Sequence, residues 1–121
     1  MLSVGIDLEE IARVKQSMRN PGFCRRILGE EEYRQLAARE FPPQSVAASF
    51  CAKEAFSKVL GTGVRNFSLK EVELLRRESG APYLHLHGRA LTLFESLGGR
   101  ELAVSVSHTR ELVTVVVVSC D

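Results

Sequence analysis

The chain has 121 residues, 45% of them hydrophobic, with 16 basic and 15 acidic side chains. That is enough apolar material for one small core, so one domain spanning 1–121 is expected. A formal net charge of +1 gives no global field to draw the chain onto nucleic acid or an anionic membrane. Any charged partner must be met by a local patch. Cys24, Cys51 and Cys120 form no C-x-x-C pair, which argues against a disulfide framework or a zinc knuckle and fits a reducing cytoplasm. The start "MLSVGIDLEE" lacks the basic start and long apolar run of a secretory signal, and "VVVV" at 115–118 is too short to span a bilayer.

Taken in order, residues 2–6 predict a short strand, after which Asp7 opens a helix "LEEIARVKQSMR", acidic in its first turn and basic in its last, as the helix dipole favours. "NPG" at 20–22 ends it. Two short helices, "FCRRIL" and "EEEYRQLAAREF", lead to the break "PP" at 42–43. The longest helix is expected from Ser45, as N-cap, to Leu60, with Gly61 as the left-handed residue that closes it. Residues 69–77 and 82–87 predict two strands joined by "ESGAP", followed by a helix over 88–97 that stops at Gly98-Gly99. The chain closes with two strands around the turn "HTRE". The first alternates Leu102, Val104 and Val106 with Ala103, Ser105 and Ser107; the second, Val113 and Val115 to Val118, is apolar on both faces. Burial on both sides is expected there, and a subunit interface supplies the second side. The fold class is therefore α+β, a small antiparallel sheet packed by one long helix and several short ones.

The long helix carries "AKEAFSK" at 52–58. At about 100° per residue, Ala48, Ala52, Ala55, Phe56 and Val59 share a packing face, while Lys53, Glu54, Ser57 and Lys58 fall away from it. On these residues alone, Glu54 and Lys58 are an i,i+4 ion pair worth roughly 0.3–0.5 kcal/mol. Asp7 alone is a helix cap, His108 an exposed turn residue, and Gly61 and Gly63 helix terminators.

Together, "GIDLEEIARV", "FCAKEAFSKVLGTG" and "VSVSHT" stand in an order and spacing that resemble the holo-acyl-carrier-protein synthases, the small 4′-phosphopantetheinyl transferases. "RRIL", "GAP" and the closing valine-rich strand extend the likeness along essentially the whole chain. The resemblance implies transfer of the 4′-phosphopantetheine arm of coenzyme A to a serine of an acyl carrier protein, dependent on Mg²⁺, by a homotrimer with each site between two subunits. It places metal-binding carboxylates at Asp7 and Glu54 and a catalytic lysine at Lys58. Coenzyme contacts fall at Phe50, Lys53, Ser57, Gly61, Gly63 and Pro82, and, from the neighbouring subunit, at His108 and Thr109. Arg13, with Arg19 and Arg26, would meet the acidic carrier protein. A coenzyme A or nucleotide-binding module without transfer activity is the alternative.

These residue types suit that chemistry. Attack of a hydroxyl on a pyrophosphate needs alignment and charge stabilisation, and Mg²⁺ is commonly held by one or two carboxylates plus substrate phosphates. Three features depart from the resemblance, the first being Gly22, where a basic residue often stands just before Phe23. Ser49 stands where an arginine usually precedes the phenylalanine, so a phosphate contact is either absent or supplied by Lys53; Ala81 replaces the lysine of "GKP". Glu9 is also unusual, and it can share an ion with Asp7 only if Asp7 sits at a strand end rather than in a helix.

Overall fold

The computed structural model describes residues 2–121. Its elements are β1 (Leu2–Glu10), α1 (Ile11–Ser17), α2 (Phe23–Ile27), α3 (Glu30–Ala37), α4 (Pro43–Leu60), β2 (Val72–Arg76), β3 (Pro82–Leu86), α5 (Gly88–Ser96), β4 (Glu101–His108) and β5 (Leu112–Cys120). The β1-β5-β4 sheet is antiparallel throughout, with β5 in the centre, and β2-β3 form a separate hairpin. The expected α+β architecture is present, with α4 as the long packing helix.

Three boundaries differ from expectation, each for a local reason. Residues 8–10 are strand rather than helix, because β1 pairs with β5 without interruption from Leu2↔Cys120 to Glu10↔Leu112. The period-two pattern Leu2, Val4, Ile6, Leu8 therefore outweighs the charge pattern that suggested a helix at Asp7. Helix α4 starts earlier, with Pro42 as its cap and Pro43 in the first turn, where a missing N–H costs nothing. Residues Leu69–Glu71 form a 3₁₀ turn, capped by Ser68, before β2 begins.

Helix α4 lies across the inner face of the sheet and is buried over most of its circumference. Its fit against β1 depends on Gly5: a Cβ there would stand 1.9 Å from the carbonyl oxygen of Ala55. Val113, Val115 and Val117 of β5 are fully buried beneath the helix. The other sheet face is less covered. Leu2, Val4, Ile6 and Leu8 are 75, 62, 59 and 60% exposed, and Val116 and Val118 beside them are only half-buried. No helix among the described residues is long and apolar enough to cross a membrane.

Candidate active site

The strand geometry of β1 decides which acids meet. Asp7 pairs with Val115 and Glu9 with Val113, both buried, so both carboxylates share the side of β1 that faces α4. Lys58, in the last turn of α4, donates to the Ile6 carbonyl at 2.7 Å and to Asp7 Oδ1 at 3.2 Å. It thus pairs with Asp7, not with Glu54 as a simple i,i+4 pattern suggested. Thr114 Oγ1 donates to the Asp7 carbonyl at 2.7 Å and fixes this end of the strand.

The electrostatics are those of crowded carboxylates. Burial, then the negative charge of Asp7, raises the Glu54 pKa, with Lys58 acting in the opposite direction. Glu9 is pushed up to about 8, first by burial, then by the neighbouring Asp7 and by the charge of Glu54, against a smaller pull from Arg13. The Cys51 thiol beneath them is pushed up to about 12 by burial and by Asp7, so it stays protonated and unreactive. Asp7 Oδ2 is buried and has no hydrogen-bond partner.

An orphaned carboxylate oxygen among acids that raise one another's pKa fits a hard divalent cation, which oxygen ligands hold. Among the described residues, no group of three or more His, Cys, Asp or Glu is already arranged as a metal cage. Asp7 and Glu54 therefore offer part of a coordination sphere, the usual situation for Mg²⁺ sites completed by phosphate and water.

The other expected residues divide between the two ends of α4. Gly61 (φ 76°) and Gly63 (φ 68°) form an exposed turn just beyond Lys58, with open space where each Cβ would be. Ser57 is buried and its hydroxyl donates to the Glu54 carbonyl at 2.6 Å, while Phe50 is half-buried. His108 ends β4 beside the first turn of α4, where the Gln44 amide donates to its Nε2 at 3.0 Å. Thr109 caps the following turn through its hydroxyl, and Pro82 opens β3 opposite Arg76. Gln44 and Lys58 stand about 21 Å apart along the helix at 1.5 Å per residue. Arg13 is exposed on α1 with its charge bearing on Glu9; Arg19 and Arg26 are also exposed.

Lys53 requires correction. It is 0% exposed, bonded to Glu32 Oε1 at 2.7 Å and to the Val72 carbonyl, so it neither faces solvent nor reaches a coenzyme. Burial lowers its pKa, against the opposing pull of Glu32 and Glu73. Glu32 also accepts from the N–H groups of Gly29 and Leu74, and Glu73 accepts from Glu32 N and meets His87 Nε2 at 3.2 Å. This network ties α4 to α3 and β2. An acid inside the apolar run "VELL" was the sequence signal for it.

Arg39, Arg76, Gln44 and His108 line a cavity of about 540 Å³. They come from three separate stretches and share no motif.

Comparison with known proteins identifies the family. Residues 3–109 match the family described as the 4′-phosphopantetheinyl transferase superfamily. The chain is 39% identical over 109 residues to the holo-[acyl-carrier-protein] synthase of Alkaliphilus metalliredigens, covering 89% of each chain. It is 35% identical over 118 residues to that of Treponema pallidum, covering 98% of this chain and 94% of the other. Among solved structures, the Neisseria meningitidis holo-[acyl-carrier-protein] synthase superposes with TM-score 0.91 at 26% identity, covering 98% of both chains. The Helicobacter pylori enzyme, in complex with coenzyme A, gives 0.83 at 26% identity, covering 97% of this chain and 99% of that one. With paired carboxylates, a facing lysine and a glycine turn on this fold, the chain belongs to the 4′-phosphopantetheinyl transferase superfamily, in its holo-[acyl-carrier-protein] synthase family.

Proposed function

We propose that the chain, acting as one domain, transfers 4′-phosphopantetheine from coenzyme A to a serine of apo-acyl carrier protein, leaving holo-acyl carrier protein and adenosine 3′,5′-bisphosphate. The observation that carries the reading is the meeting of Asp7, Glu54 and Lys58 beside the Gly61-Thr62-Gly63 turn. A binding module without transfer activity would have no use for crowded acids whose charges oppose one another.

In the reaction the serine oxygen forms a bond to the β-phosphorus of coenzyme A while the bond from that phosphorus to the bridging oxygen breaks. Asp7 and Glu54 would hold Mg²⁺, which supplies neutralisation of phosphate charge when bound. Lys58 lies beside them and adds a point charge toward the phosphate oxygens. Gly61 and Gly63 let backbone N–H groups approach the same oxygens, since no side chain intervenes. The serine proton passes to the carboxylate edge formed by Asp7, Glu9 and Glu54.

His108 and Thr109 are assigned to the coenzyme site of a neighbouring subunit in a homotrimer. Two features support this: their place at the far end of α4, and the apolar strip Leu2, Val4, Ile6, Leu8, Val116 and Val118, which has no cover within one chain. The exposed Arg13, Arg19 and Arg26 provide the basic surface for an acidic carrier protein. Coenzyme A and carrier protein are cytoplasmic reactants, and the free thiols accord with that compartment. Chromatographic release of adenosine 3′,5′-bisphosphate from coenzyme A, dependent on both apo-acyl carrier protein and Mg²⁺, tests the proposal. No release with all components present would end it.

A further inference from the structure

We propose that Gln44 is a positioning residue for coenzyme A binding: its amide holds His108 as the neutral tautomer with the proton on Nδ1, so that Nδ1–H is the donor offered to an acceptor atom of the coenzyme. This rests on the reading that His108 meets coenzyme A across a subunit boundary, and it names the residue that gives that contact its polarity.

The tautomer follows from a count of donors. A glutamine amide nitrogen carries two N–H groups and offers no lone pair, and Gln44 Nε2 stands 3.0 Å from His108 Nε2. That ring nitrogen must therefore accept, which leaves the one proton of a neutral imidazole on Nδ1. Among the described residues Nδ1 has no hydrogen-bond partner, and His108 is exposed, so this donor is open to a ligand.

Both supports of the contact are rigid. Gln44 lies in the first turn of α4, where Pro42 and Pro43 restrict the backbone and the Pro42 carbonyl accepts from Ser45 N at 2.9 Å and Val46 N at 3.0 Å. His108 pairs with the fully buried Val113 at the end of β4. Beyond it, Thr109 N donates to the Leu112 carbonyl at 2.8 Å, and Thr109 Oγ1 accepts from Glu111 N at 3.2 Å and Leu112 N at 3.1 Å. With both backbones held, rotation of the imidazole about its side-chain bonds is the freedom that remains, and the bond from Gln44 restrains it.

The surroundings explain why an amide suits this place. Gln44 and His108 share their cavity with Arg39 and Arg76, and no carboxylate lines it. A carboxylate at 44 would accept from Nε2–H instead, turning toward the ligand either a ring acceptor or a third cation. The amide yields a neutral donor beside two guanidinium groups without adding to their repulsion. In the proposed homotrimer the coenzyme receiving this bond has its pyrophosphate at Lys58 of the partner subunit, so the contact crosses an interface rather than running the length of α4.

The test joins a spectroscopic readout to kinetics on the full chain. Long-range proton–nitrogen NMR correlation gives the tautomer of each of the 3 histidines, His108 being assigned by its loss in His108→Ala. Wild type should carry the His108 proton on Nδ1; Gln44→Met, similar in size but without a donor, should lose that preference, and Gln44→Glu should place a proton on Nε2. With saturating apo-acyl carrier protein and Mg²⁺, Gln44→Met should raise KM for coenzyme A by about three- to ten-fold with kcat little changed, the loss expected for one hydrogen bond. In a His108→Ala background Gln44→Met should raise KM no further, because Gln44 acts through the ring. A proton on Nε2 in wild type, an unchanged KM in Gln44→Met, or an undiminished effect of Gln44→Met in the His108→Ala background would overturn the positioning role, and a raised KM in His108→Ala alone would leave the coenzyme contact standing. An unchanged KM in His108→Ala would instead remove the contact on which the role rests, and absence of transfer by wild type would remove the transferase reading itself.

Discussion

Replacing Lys53 with methionine separates the two roles open to that residue. Methionine has similar length and volume, so little cavity is created and the change is mainly electrostatic. It leaves Glu32, 0% exposed, and Glu73, 4% exposed, without the lysine cation, and strips a donor from the Val72 carbonyl. Breaking a buried ion pair in this way costs about 3–5 kcal/mol. A domain of this size has a total stability of roughly 5–15 kcal/mol, so the melting temperature should fall by about 10–20 °C. Adding Glu32→Gln should recover part of the loss, since the amide oxygen can still accept from a backbone N–H and the uncompensated charge is gone. The assay is chemical and thermal denaturation of both variants, alongside KM for coenzyme A at a temperature where each is folded. A loss under about 1 kcal/mol, or a raised KM for coenzyme A at unchanged stability, would refute the structural role and return Lys53 to the ligand site.

Three further outcomes follow from the same geometry. Gly5→Ala places a methyl group 1.9 Å from the Ala55 carbonyl and must push β1 away from α4; a fall in both melting temperature and transfer activity is expected, whereas wild-type values for both would contradict the close contact. Glu9 has a folded pKa of about 8, above its ordinary 4.5, so its protonated form is favoured in the fold; in EDTA, stability should be greatest below about pH 4.5 as far as this group contributes, and should fall as pH rises toward and through 8. Glu9→Gln should flatten that fall, and an unchanged pH profile of melting temperature would contradict the crowding. Ile6→Asp puts a charge in the middle of the uncovered apolar strip, so sedimentation should show the proposed trimer dissociating; a trimer unchanged by the substitution would place the interface elsewhere.

The parts of this fold with strong periodicity were legible before the structure. Val113 to Val118 announced a strand with two apolar faces, and the alanine face of α4 announced close helix packing, because both patterns reflect burial directly. β1 was misjudged at its end, since acids followed by bases at 9–19 satisfy a helix dipole while pairing with β5 over the full strand is a long-range effect. That error mattered for the site: only in strand geometry do Asp7 and Glu9 face the same way. Lys53 was misjudged because angular analysis assumes one wet face, whereas α4 is enclosed by the sheet, α1 and β2, and a buried acid across the core makes a buried lysine tolerable. Asp7, Glu54 and Lys58 were singled out only by the family resemblance, since period and spacing alone read them as a cap and an ion pair.

The central claim, that Asp7 and Glu54 form the working centre of a phosphopantetheinyl transferase, is tested most directly by intact-protein mass spectrometry. Apo-acyl carrier protein would be incubated with coenzyme A, Mg²⁺ and either wild type or Glu54→Gln. Wild type should add the mass of one phosphopantetheine group, and Glu54→Gln, folded by circular dichroism, should add none over the same period. Modification by Glu54→Gln at the wild-type rate, or unmodified carrier protein with wild type, would contradict the account.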